Sequence, residues 1–176
     1  YTTLPGDDFR IGRVRDGVRA SQADFGAQQA LFESLKLSLQ ADVARLYFLL
    51  RQTDAEIEVV QEAIRWRREA VRILERRLTA GDISELDVVR AKGELANAKT
   101  DALTLERTRA QYEHALAILL GRAPSTFALQ RAPLPALRPA VPTGLPSGLL
   151  GRRPDIAAAE RRLVAANARI GVAKAA

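Results

Sequence analysis

Residues 77–91 read RLTAGDISELDVVRA, and this stretch decides how the rest of the chain is arranged. Gly81 suits the left-handed conformation that closes a helix C-terminus. Just after it, Asp82 with Glu85, or Ser84 with Asp87, offers a capping box for a new helix. One helix stops and another starts within a few residues, so the two must be antiparallel neighbours. Ile83 and Leu86 place apolar side chains at an otherwise exposed tip. They are either the hydrophobic staple of a well-capped turn or a docking surface, and the residues alone leave both readings open. The candidate tip comprises Thr79, Ala80, Gly81, Asp82, Ile83, Ser84, Glu85, Leu86 and Asp87.

Moving outward, a 4-3 stripe precedes the turn: Leu39, Val43, Leu46, Leu50, Thr53, Ile57, Val60, Ile64, Arg67, Val71, Leu74 and Leu78. All but Thr53 and Arg67 are apolar. The same spacing follows the turn in Val88, Ala91, Leu95, Ala98, Ala102, Leu105, Arg109, Tyr112, Leu116 and Leu119, with Arg109 the one charged member. Heptads sustained this long predict a coiled-coil seam. There is no proline between Pro5 and Pro124 to interrupt it. The first helix is expected from near Arg15 to near Leu78, a length of ~95 Å, and the second from Ser84 to Leu120, ~55 Å. A compact chain of this size would measure ~30–40 Å across, so a rod is expected.

Residues 121–152 hold six of the eight prolines and read as an extended linker. A third helix follows, with Pro154 at its first position and Asp155 favouring its N-terminal dipole. Ile156, Leu163 and Ile170 share one of its faces, and Arg152 and Arg153 just before it call for an acidic partner elsewhere. The expected organisation is a remnant at 1–14, long helix 15–79, tip 80–83, long helix 84–120, linker 121–152 and third helix 153–176. The fold class is all-α: a long antiparallel coiled-coil hairpin, a proline-rich linker and a third helix packing alongside. Phe48, Leu49, Val59, Trp66, Ile73 and Ile118 lie off the main seam, and a helix with two apolar faces needs two partners.

Composition narrows the function. The 176 residues include no cysteine and one histidine, His114, which leaves nothing for a thiolate or histidine metal site or a Ser-His-Asp triad. P-loop, GxGxxG, GxSxG and HExxH motifs are absent, so no catalytic, metal or cofactor-binding residue is expected and no cofactor is implied. Asp7-Asp8 reads as solvated charge and His114 as a helix-face histidine. No apolar run approaches ~18 residues. The net charge of +6 raises nucleic acid as a partner, but acidic residues interleave the basic ones, as in RWRREAVRILERR, so no nucleic-acid binding is expected. Arg67 and Arg109 interrupt the seams. They snorkel, pair with a residue such as Glu58 or Glu106, or act as a register device or lumen charge. The N-terminus shows no signal-peptide pattern and the chain stops without a helix stop signal, so an excised piece of a longer protein is expected.

Three stretches resemble a known family. LPSGLLGRRPDIAAAERRLVAANARIGVAKAA, at 145–176, is similar to a hallmark segment of the outer-membrane efflux channels, the TolC-like and OprM/NodT-like outer-membrane factors. The turn from Arg77 to Ala91 resembles that family's tip segment. FRIGRVRDGVRA, at 9–20, is similar to the passage where the family's first β-hairpin feeds its long helix. The resemblance implies the TolC-like periplasmic α-helical segment of a first repeat, with the β-barrel strands absent. It implies a homotrimer in the full-length protein, forming a passive conduit for small molecules in a tripartite RND-type pump. The tip would dock a periplasmic adaptor, the membrane fusion protein. The inner-membrane transporter would be an indirect partner, and the membrane would be met only through parts absent here. The implied location is the bacterial outer membrane, this segment in the periplasm; many members are lipoproteins. The alternative from heptads alone is a coiled-coil adaptor or scaffold without a membrane link.

Overall fold

The computed structural model describes residues 7–134, 148 and 150–175, with side chains from residue 12 onward. Among the described residues three helices have defined bounds: α1 (Asp7–Thr79), α2 (Glu85–Leu119) and α3 (Pro154–Lys174). The prolines at 135, 139, 142 and 146 lie outside the described residues. The chain divides into two compact units, one of residues 1–40 and 139–176, the other of residues 41–138.

α1 begins at Asp7, not near Arg15 as the sequence reading expects. The acidic pair Asp7-Asp8 thus falls within its first turn. Arg76 and Arg77 occupy the last turn, at the negative end of the helix dipole.

In the 41–138 unit, α2 runs back along α1. Lys92 meets Glu75 near the turn at 2.7 Å, and Arg109 meets Asp54 far from it, also at 2.7 Å. The expected stripe is the contact face: Leu50, Ile57, Val71, Val88, Ala98 and Leu116 are all buried. Thr53 is tolerated there because its hydroxyl donates to Leu49 O at 2.9 Å, so no polar atom is orphaned. Arg67 is not buried; its side chain lies at an exposed position, so the seam carries one arginine rather than two.

α2 ends as α1 does. Gly121 has φ +67°, its N–H donates to Ile118 O at 3.0 Å, and Arg122 N–H donates to Ala117 O at 2.9 Å. This Schellman closure releases the chain into an extended stretch, residues 127–134, which belongs to the same unit.

In the other unit, α3 pairs antiparallel with the first part of α1. Arg169 pairs with Asp24 at 2.6 Å, while the earlier Arg161 lies against the later Gly26. The buried residues are alanines on both helices: Ala20, Ala23 and Ala27 on α1, and Ala158, Ala165 and Ala168 on α3. Small side chains let two backbones approach closely, toward the short end of the usual interaxial range of about 8–10 Å. A Cβ on Gly171 would stand 2.3 Å from Asp16 Oδ2. The Ile156, Leu163, Ile170 face is not the packed one; Leu163 is 71% exposed and Ile170 53%. Arg153 finds its acidic partner locally, in Asp155 at 2.7 Å. Hydrogen bonding to Arg153, together with its charge, holds the Asp155 carboxyl below its ordinary value against the opposing effect of burial.

Candidate functional site

The tip is built from two caps placed back to back. Gly81 takes φ +79°, which a residue with a Cβ adopts only with strain. Its N–H donates to Leu78 O at 2.9 Å and Asp82 N–H donates to Arg77 O at 2.9 Å, the two bonds of a Schellman closure. Thr79 adds a third, its hydroxyl donating to Glu75 O at 2.9 Å. Of the two capping boxes the sequence allows, Ser84 with Asp87 forms. Ser84 N–H donates to Asp87 Oδ2 at 3.2 Å and Ser84 Oγ donates to the same oxygen at 3.0 Å. Glu85 and Asp87 sit in the first turn of α2, at the positive dipole end.

The nine candidate residues from Thr79 to Asp87 are therefore one contiguous, capped turn. Ile83 is half-buried, as a staple requires, while Leu86 is exposed at 54%. Val89, one turn further along α2, is exposed at 57% and extends the apolar surface; the sequence reading did not single it out. Asp82 and Glu85 lie exposed beside these residues. The tip thus presents apolar side chains and carboxylates on a backbone held by hydrogen bonds at both caps. That arrangement suits recognition. Among the described residues, no group of three His, Cys, Asp or Glu side chains could hold a metal ion. No described helix is long and apolar enough to cross a membrane.

A second constellation lies in the same unit, and only one of its members stands out in the sequence. Arg109 pairs neither with Glu58 nor with Glu106. Its Nε donates to Asp54 Oδ1 at 2.7 Å, one terminal nitrogen donates to Glu113 at 3.1 Å, and the other to the backbone oxygen of Leu129 at 2.6 Å. Arg51 donates to Asp54 Oδ2 at 2.9 Å and to Gln130 O at 2.7 Å. Glu113 accepts the Leu129 N–H at 2.5 Å. Glu106 is taken by Arg131 instead, at 2.5 Å. Arg51, Asp54 and Arg109 are all at least nine-tenths buried. Burial opposes the charge on Arg109, yet the Asp54 hydrogen bond and the charges of Asp54 and Glu113 outweigh it and hold the guanidinium pKa above its ordinary value. The extended stretch is thereby strapped across both helices by side chains that bond its backbone. Equal steps outward from the turn on α1 and α2 bring Asp54 opposite Arg109. That count is the signal by which Asp54 could have been found.

The family described as outer membrane efflux protein matches residues 9–122. The chain is 36% identical over 167 residues to the solvent efflux pump outer membrane protein SrpC of Pseudomonas putida, covering 94% of this chain and 36% of that one. It is 30% identical over 172 residues to the cation efflux system protein CusC of Escherichia coli strain K12, covering 96% of this chain and 37% of CusC. The solved structure of the outer-membrane channel OprN superposes with a TM-score of 0.86 at 36% identity, over 93% of this chain and 37% of OprN. The chain thus spans a little over a third of the length of the relatives it matches.

Proposed function

The chain belongs to the outer membrane efflux protein family, and from that membership we propose that these helices form part of the periplasmic wall of a trimeric efflux channel whose hairpin tip docks a periplasmic adaptor. The conduit is passive. Transport energy comes from an inner-membrane partner that meets this protein only through the adaptor. The protein performs no chemical step.

The carrying observation is the tip itself. Leu86 and Val89 stand exposed on a turn that two caps make rigid, so docking would lose little conformational entropy there. A second observation supports the wall. Within residues 1–40, Val14, Val18, Phe25, Phe32 and Leu35 form an exposed apolar stripe on α1. Within residues 41–138, Val59, Trp66 and Ile73 form another, away from the seam with α2. Exposed faces of that extent mark surfaces that other helices cover.

The test uses the full-length protein. Leu86→Asp places a charge on the apolar tip, and Gly81→Pro cannot adopt φ +79° and removes the N–H that bonds Leu78 O. Both are expected to impair adaptor binding and efflux while circular dichroism shows little loss of helix. Docking and efflux unchanged in both variants would reject the tip as the docking site.

A further inference from the structure

The Arg51, Asp54, Arg109 and Glu113 cluster carries more than the strap. Asp54 lies 25 residues before the end of α1 and Arg109 lies 24 residues after the start of α2. From that level to the tip, each helix runs ~37 Å. Along this arm the seam is apolar, and the ion pair across it, Glu75 with Lys92, is about half exposed on both sides. An apolar seam is non-directional. The capped turn sets the register at the tip, but a heptad-repeating seam carries it only loosely along the arm, so a second contact is needed to hold it at the far end.

The cluster is poorly explained as a source of stability. Burying two arginines and two carboxylates costs several kcal/mol per ion, and well-packed apolar replacements are often neutral or better. Arg51 Nε is moreover buried with no partner. Such groups are best attested where a structure must choose one register. The geometry here is directional. The Arg109 fork bonds α1 through Asp54, its own helix through Glu113 and the strap through Leu129 O. Arg51, fixed beneath the Tyr47 ring at 5.0 Å, bonds Asp54 and Gln130 O. A slide of α2 past α1 at this level would break the Arg109–Asp54 bond and pull the strap from one helix or the other.

We propose that Arg109, Asp54, Glu113 and Arg51 form a register pin that fixes α1 against α2 and seats residues 129–132 across them, so the arm between pin and tip has one register. The pin holds or fails whether or not the tip docks an adaptor, because its readout lies within the hairpin.

The experiment is made on the full-length protein. This chain has no cysteine, so introduced thiols here are unambiguous. Glu75→Cys with Lys92→Cys reports the native register through a short thiol cross-linker, and Glu75→Cys with Lys99→Cys reports a slide of one heptad. In the pinned chain the native pair should cross-link at least about tenfold faster than the shifted pair. The fully apolar variant Arg51→Met, Asp54→Leu, Arg109→Met, Glu113→Leu removes the charges. It is expected to fold with unchanged helix content and melting temperature, to lose most of that tenfold preference, and to exchange the Leu129 amide at least about tenfold faster. If it keeps the native cross-linking preference, the pin is wrong. Arg109→Lys, which retains the charge but not the fork, guards against a misfolded quadruple variant. It should weaken the preference by a smaller factor, and no change in either reading would overturn the proposal.

Discussion

α1 meets its two partners by opposite means. Against α3 it presents Ala20, Ala23 and Ala27 to a face of alanines, with Gly171 beside Asp16. Against α2 it presents Leu50, Ile57 and Val71, interrupted by a buried cluster of charges. The first contact is specified by shape, since small residues admit only one close approach and any added volume is felt. The second has ample apolar area but little shape specificity, and charge supplies the direction. One continuous helix can thus use steric and electrostatic specificity in different places, each where the other is weak.

The contrast can be broken most strongly at Asp54. Asp54→Ala leaves Arg51 and Arg109 buried without their shared carboxylate, and should cost about 3–5 kcal/mol. Denaturant unfolding would show the loss, and amide exchange would show it confined to residues 41–138. Ala165→Leu attacks the other contact. The position is fully buried, and overpacking should cost about 1–3 kcal/mol with the exchange change confined to α3 and its section of α1. The double variant should lose the sum to within about 0.5 kcal/mol, since the two sites share no partner. The smallest effect is Lys92→Ala, which removes a half-exposed pair and should shift stability by about 0.2–1 kcal/mol, less at high salt. A loss at Lys92 equal to that at Asp54 would erase the distinction between the pinned level and the arm.

The hairpin could be read in the sequence because independent signals agree there. The seam period, the lack of proline and the caps around Gly81 and Ser84 all point to the same turn. The tip was legible for the same reason, although which capping box forms depended on side-chain geometry. The α3 face was not. Ile156, Leu163 and Ile170 outrank alanine on any hydrophobic scale, yet the close approach of two backbones selects Ala158, Ala165 and Ala168. Arg109 stood out as an anomaly in its stripe, but its partners did not. Asp54 lies off the heptad positions, and the groups that satisfy Arg51 and Arg109 include the backbone oxygens of Gln130 and Leu129, which leave no trace in residue identity. The early start of α1 was missed because an acidic pair reads the same within a helix's first turn as in a loop.

The strap has a consequence for the order in which this unit assembles. The α1–α2 turn closes over a handful of residues, and contacts nearest the turn have the smallest sequence separation, so pairing can spread outward like a zip at low entropic cost. Residues 129–132 have no such local route. Their backbone partners, Asp54 and Gln130's donor Arg51 on one helix and Arg109 and Glu113 on the other, come together only once the hairpin has closed as far as their level. Docking of the strap is therefore a late event that reads out whether pairing upstream is correct: a hairpin closed out of step offers it no complete set of partners, and can reopen before the charges are sealed from water.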